Sequence, residues 1–145
     1  MLKALLAAAA LLAATPVFAQ SAAEVDQRID DVLGPHETYA NAIERIQEAL
    51  RDRDIEKLAG YIGYGEAIKV NGADVVVNDQ EQLTGEFDSL FNQKVIDAVT
   101  GQAYETLFVN QDGIMFGNGE LWLNGVCDDE ACQFPFVTII AINNQ

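Results

Sequence analysis

The hydrophobic period of this chain changes once, and that change limits the folds open to it. Across residues 36–50 the apolar positions are Tyr39, Ala42, Ile43, Ile46, Ala49 and Leu50, spaced three and four apart. That spacing is the stripe of an amphipathic helix, with Glu37, Glu44, Arg45, Glu48 and Arg51 on the opposite face. Across residues 134–142 nearly every residue is apolar, as in a strand buried on both faces at the centre of a sheet. Helices first and strands last is an α+β order. It predicts N-terminal helices laid on one face of a bent antiparallel sheet.

The remaining segments fit between these two. Residues 21–33 read as a short helix ended by Gly34-Pro35, and Pro35 suits the first turn of the next helix. Asp54 is placed to cap a short helix bearing Ile55, Leu58 and Ile62. Residues 67–70 and 75–77 are two short strands, joined through a tight turn at Asn71-Gly72. Asn78 or Asp79 caps a helical region carrying Leu83, Phe87, Leu90 and Phe91, which continues after a kink near Asn92 and stops at Gly101. Residues 104–109 then read as a strand. Residues 114–123 read as a second, with a bulge or sharp bend at the glycines of 117–119. Asn124-Gly125 marks the start of a loop leading to the last strand.

The first twenty residues, MLKALLAAAALLAATPVFAQ, have the three parts of a secretory signal. Lys3 is the positive region, residues 4–14 are the apolar run, and Val17-Phe18-Ala19 is the cleavage site. The run is too short to span about 30 Å of hydrocarbon as an anchor. The expectation is a signal over residues 1–19 and a single domain over 20–145, delivered to the periplasm or the medium. Removing the signal takes away one of the eight basic residues and none of the 23 acidic ones, so the formal charge moves from −15 to −16. Such a domain is repelled by phosphate backbones and anionic lipid, which argues against nucleic-acid and membrane-surface partners. A basic protein suits it.

Cys127 and Cys132 are the only cysteines. In an exported chain this pair reads as a structural disulfide. The spacing is not the two-residue spacing of thiol–disulfide oxidoreductases, and two thiols without a nearby histidine make a poor zinc site. Asp128-Asp129-Glu130, between the cysteines, lacks the spaced oxygens of a calcium loop, and Asp52, Asp54 and Glu56 read as a cap and an exposed face. No phosphate loop or dinucleotide fingerprint occurs. No cofactor and no metal are expected.

The order of helix, short helix, two short strands, helix and long strands, together with LFVNQDGIMFGNGELWLNG (residues 107–125) and a last strand ending in Ile142-Asn143, resembles the nuclear transport factor 2-like superfamily. The likeness is to a group of small exported proteins with that cystatin-like cone. It implies a pocket between sheet and helices, used for proton transfer or dehydration, as a binding socket, or with copies pairing through the sheet. No catalytic set of that superfamily maps onto this chain.

The candidate pocket residues are therefore read from the chain itself. Glu120 stands two residues before Trp122, on the same strand face if the pairing is regular. A carboxylate beside an indole in an apolar cone is a candidate proton carrier. Glu105 alternates with Leu107 and Val109 and has a similar claim, while Tyr61 and Tyr64 flank Gly63 as candidate rim residues. The lone histidine, His36, sits in a first helical turn and reads as a solvated side chain. The leading expectation is an exported, non-catalytic binding module. Its ligand would be a small apolar molecule in the cone or a protein on the sheet, with a homodimer as a further option. The alternatives are a proton-transfer or dehydratase-type enzyme using Glu120 or Glu105, and an inhibitor or immunity-type protein that neutralises a basic target.

Overall fold

The computed structural model describes residues 20–127, 130, 132 and 135–145. The expected signal and Asp128, Asp129 and Phe134 lie outside the described residues. The chain runs α1 (Ala22–Val32), α2 (His36–Asp52), α3 (Ile55–Ala59), β1 (Ala67–Val70), β2 (Ala73–Val76), α4 (Gln80–Leu90) and α5 (Gln93–Thr100). A 3-10 turn (Tyr104–Thr106) then leads to β3 (Phe108–Asn110), β4 (Gly113–Phe116), β5 (Leu121–Val126) and β6 (Phe136–Ile142).

Four of the helices begin where the N-cap side chain satisfies a free backbone N–H, whereas α2 starts after Pro35, which makes no such bond. Ser21 and Glu24 form a reciprocal capping box on α1. Asp54 accepts from the Lys57 N–H, Asp79 from Gln82, and Asn92 from Val95. The expected kink at Asn92 is thus a true break, with α4 ending at Leu90 and a new cap starting α5. At the other end of α2, Arg53 takes the left-handed conformation and its N–H closes the last turn.

The six strands form one sheet in the order β2-β1-β6-β5-β4-β3. The sheet is mixed: β1 runs parallel to β6, while the other neighbours are antiparallel. The parallel pair arises because α4, α5 and four strands intervene between β1 and β6, so the chain returns in the same sense. Strand alternation sends Ile68, Val109, Ile114, Phe116, Leu121, Leu123, Val137, Ile139 and Ile142 to the helix side, and all are buried. They meet Tyr39, Ile43, Ile46 and Leu50 of α2, Val25 and Ile29 of α1, and Val95 and Val99 of α5 in one apolar cluster. Among the described residues this cluster lies between sheet and helices.

The structure differs from the sequence reading in several places: the sheet is mixed rather than antiparallel throughout, and Asn124-Gly125 lies inside β5 instead of opening a loop. Residues 104–109 are not one strand, because the 3-10 turn occupies Tyr104–Thr106 and only Phe108–Asn110 pairs. Residues 114–123 are two strands joined by a tight turn, with Ile114 opposite Leu123, Met115 opposite Trp122 and Phe116 opposite Leu121. Gly117 (φ 61°) and Gly119 (φ 110°) supply the positive φ this turn needs. The sheet's bulge lies elsewhere: Trp122 faces Ala141 and Leu123 faces Ile139, so β6 carries an extra residue at Ile140.

Candidate binding surface

Among the described residues no helix covers the outer face of the sheet, and several apolar side chains are exposed there. Phe108 is 50 % exposed, Val126 47 % and Phe136 51 %. Trp122 lies next to Phe108, ring edge to ring face, with centroids 6.3 Å apart and planes at 79°. Met115 stands between them in register, opposite both Phe108 and Trp122. The charged pair on this face, Lys69 and Asp74, is self-neutralised at 2.7 Å across the β1–β2 hairpin.

Within this face a cleft of about 360 Å³ opens where β1 and β6 fork. The two strands pair only at Lys69–Ala141 and Val70–Ile142. Toward the start of β6 the partner is instead the loop before β1. There the Tyr61 carbonyl accepts from the Ile139 N–H at 2.9 Å and from the Thr138 hydroxyl at 3.1 Å. Those bonds explain why Thr138, a polar residue on the outer face, is buried. Thr138 and Ile139 lie in this cleft together with Phe136, Val126, Gly63 and Glu66.

The residues singled out from the sequence are scattered over the molecule. Tyr61 contributes its backbone to the fork, and Tyr64 is 37 % exposed beyond it. Glu105 is exposed on the 3-10 turn. Glu120 sits in the β4–β5 turn rather than in a strand, with its side chain only 12 % exposed. Its carboxylate accepts from the Asn118 N–H at 2.6 Å and lies 3.8 Å from Lys94 Nζ, so it holds the turn together. Trp122 is the one of these residues that belongs to the apolar outer face. Glu120 and Trp122 share a neighbourhood, since a Cβ added at Gly119 would lie 3.5 Å from the indole Nε1.

Cys127 and Cys132 form a disulfide, with Cα atoms 5.2 Å apart. It closes the loop that follows Val126, at the rim of the fork. Glu130, inside that loop, is exposed. Asp54 caps α3, and Asp52 and Glu56 are exposed. Among the described residues, no group of three or more His, Cys, Asp or Glu side chains is placed to hold a metal ion. No helix among them is long and apolar enough to cross a membrane.

His36 lies elsewhere, in a shallow cleft of about 410 Å³ with Asp26, Glu37, Glu44 and Tyr104. Its Nδ1 is 2.9 Å from Asp30 Oδ2, and this hydrogen bond raises the imidazole above its ordinary pKa. Asp30 is lowered in turn, chiefly by accepting the His36 backbone N–H. Burial raises the Tyr104 hydroxyl, which donates to Asp26 at 2.7 Å. These bonds tie α1 to α2 and to the 3-10 turn.

The exposed residues Phe108, Val126 and Phe136, and Glu66 at the fork, were not singled out by the sequence. The available signal was alternation: Phe108 and Phe136 each neighbour a core residue along the strand, Val109 and Val137. No protein-family model, curated protein or solved structure matches the chain.

Proposed function

We propose that the chain is an exported binding module whose working surface is the outer face of the sheet, and that it docks there on a basic protein. The observation that carries this reading is the contrast between the two faces. The helix side is filled by residues such as Phe116, Leu121 and Leu123, each wholly buried, whereas the outer side leaves Phe108, Val126 and Phe136 about half exposed. Apolar groups gathered on one uncovered face mark an interaction surface. A formal charge of −15 favours a cationic partner, and exposed aromatic rings accept cations. The disulfide is in keeping with an oxidising compartment, periplasmic or extracellular. The order of elements and the mixed sheet under N-terminal helices support membership of the nuclear transport factor 2-like superfamily. With Phe116, Leu121 and Leu123 buried on the helix side, the exposed side of the sheet is taken as the binding surface.

A photo-crosslinking amino acid placed at position 108 or 136 tests this, with position 84 on exposed α4 as control. Expression in the native exported fraction is expected to give a discrete adduct with a basic protein from 108 and 136 only, lost at about 0.5 M salt as charges are screened. Adducts of two copies of this chain, or equal labelling from position 84, would overturn the reading.

A further inference from the structure

The fork between β1 and β6 has a more specific composition than the face around it. Thr138, Ile140, Phe136 and Val126 line it from the β5–β6 side. Opposite them stands Glu66, whose carboxylate makes no ion pair among the described residues, unlike that of Asp74. A methyl added at Gly63 would lie 3.5 Å from Glu66 Cβ and 3.6 Å from Thr138 Oγ1. The stem of Glu66 thus lies beside Gly63 and near Thr138 in the cleft lining. The Thr138 hydroxyl already donates to the Tyr61 carbonyl, so the apolar lining comes from Val126, Phe136 and the part-buried Ile140. The result is an apolar slot of about 360 Å³ with one unneutralised negative charge at its edge.

Resting on the sheet-face reading above, we infer that this fork receives an apolar side chain flanked by lysine or arginine from the basic partner. The apolar group fills the slot between Phe136 and Ile140, and the neighbouring cation pairs with Glu66. Charge complementarity selects this occupant: an acidic or neutral segment would leave Glu66 unpaired against a ligand that excludes water from it. The overall negative charge steers a basic chain to the site before contact.

The test is an amide NMR titration of the 15N-labelled protein with three peptides: acetyl-Lys-Phe-Lys-amide, acetyl-Lys-Gly-Lys-amide and acetyl-Glu-Phe-Glu-amide. The first is expected to shift Glu66, Ala67, Thr138 and Ile139 saturably, and the other two at least about tenfold more weakly. Glu66→Gln is expected to weaken the first peptide about threefold, the scale of a partly exposed ion pair. Ala67→Trp, at an exposed position lining the slot, is expected to weaken it about tenfold or more by filling the space. Equal binding of the Lys-Gly-Lys peptide would show charge attraction without the slot and overturn the inference. So would wild-type affinity in both variants, or shifts centred elsewhere. Crosslinks from position 108 that persist while the peptide arm fails would remove the fork and keep the wider face. Loss of those crosslinks with the peptide arm intact would remove the wider face and keep the fork.

Discussion

Asn71 and Asn144, 73 residues apart, exchange two hydrogen bonds. Asn71 Nδ2 donates to Asn144 Oδ1 at 2.8 Å, and Asn71 Oδ1 accepts the Asn144 N–H at 3.0 Å. The exchange joins the β1–β2 turn to the residues just past β6, where the Asn71 N–H also donates to the Ile142 carbonyl. Asn144 reaches further. Its Nδ2 donates to Ser89 O and Leu90 O, the open carbonyls at the end of α4, and its own carbonyl accepts from Asn92 Nδ2. The neighbouring Asn143 bonds to Gly119 and Glu120 in the β4–β5 turn, and Lys94 Nζ donates to the Gln145 carbonyl. A few polar residues at the chain end thereby clasp two turns and two helices, and hold the parallel β1–β6 pair at the closed end of the fork.

Asn144→Ala is expected to destabilise the protein by about 1–3 kcal/mol, because it leaves the Asn71 amide and the α4 carbonyls without their partners. Urea denaturation followed by Trp122 fluorescence reads this as a fall in midpoint at constant slope. A change within about 0.5 kcal/mol would mean that water replaces the clasp without loss.

Glycines separate into those the backbone requires and those it does not. Gly85 lies inside α4 with ordinary helical geometry and nothing within 4 Å of an added Cβ. Gly85→Ala is therefore expected to raise stability by about 0.5–1 kcal/mol. At Gly117, with φ at 61°, a Cβ would collide with the Glu120 carboxylate and come within 3.0 Å of Ala98 Cβ. Gly117→Ala is expected to lower stability by more than about 1 kcal/mol. The same denaturation experiment gives opposite signs for the two variants if the turn is as described.

The helices were legible because their signals are local. Apolar spacing, the caps Asp54 and Asp79 and the stop at Gly34 all act within a turn or two. The Asn71-Gly72 hairpin was legible too, since both residues take the positive φ (50° and 84°) that a two-residue turn demands. Glycines in the last third misled because one residue type serves several ends. Gly117 and Gly119 make a turn where a bulge was equally consistent. Asn124-Gly125, expected to open a loop, lies inside β5. Gly125 is needed there for another reason: a Cβ would overlap the Tyr39 hydroxyl and the Pro135 ring packed over it. That approach joins residues far apart in sequence, so no local pattern reports it. The candidate surface was hidden in a similar way. Phe108 and Phe136 look like core residues until strand register shows which face each one occupies.

The two faces are expected to answer differently to truncation. Phe116 is fully buried against the helices, so Phe116→Ala is expected to cost about 3–5 kcal/mol. Phe108 is half exposed and loses mainly its edge contact with Trp122, so Phe108→Ala is expected to cost about 0.5–1.5 kcal/mol. Thermal unfolding of both variants beside the wild type checks this. Equal costs would mean that the outer face is as well covered as the core.

His36 offers a single-residue probe of the joint between α1 and α2. Its Nδ1 meets Asp30 Oδ2, Asp30 Oδ1 accepts the His36 N–H, and Glu37 and Asp26 add further negative charge nearby. The Asp30 hydrogen bond is the largest cause of the raised imidazole pKa. A raised folded value means that the contribution of His36 is fully present below its unfolded value of 6.5 and is lost as pH climbs through the folded one. Asp30 is lowered, so its contribution is present above 3.8 and is lost as pH falls through its folded value. The joint is therefore firmest between those two limits. An NMR titration of the one imidazole should show a midpoint above 6.5 that Asp30→Asn moves back down. An unchanged midpoint in Asp30→Asn would assign the shift to the general negative field of the chain, and raised salt would then lower it in wild type and variant alike.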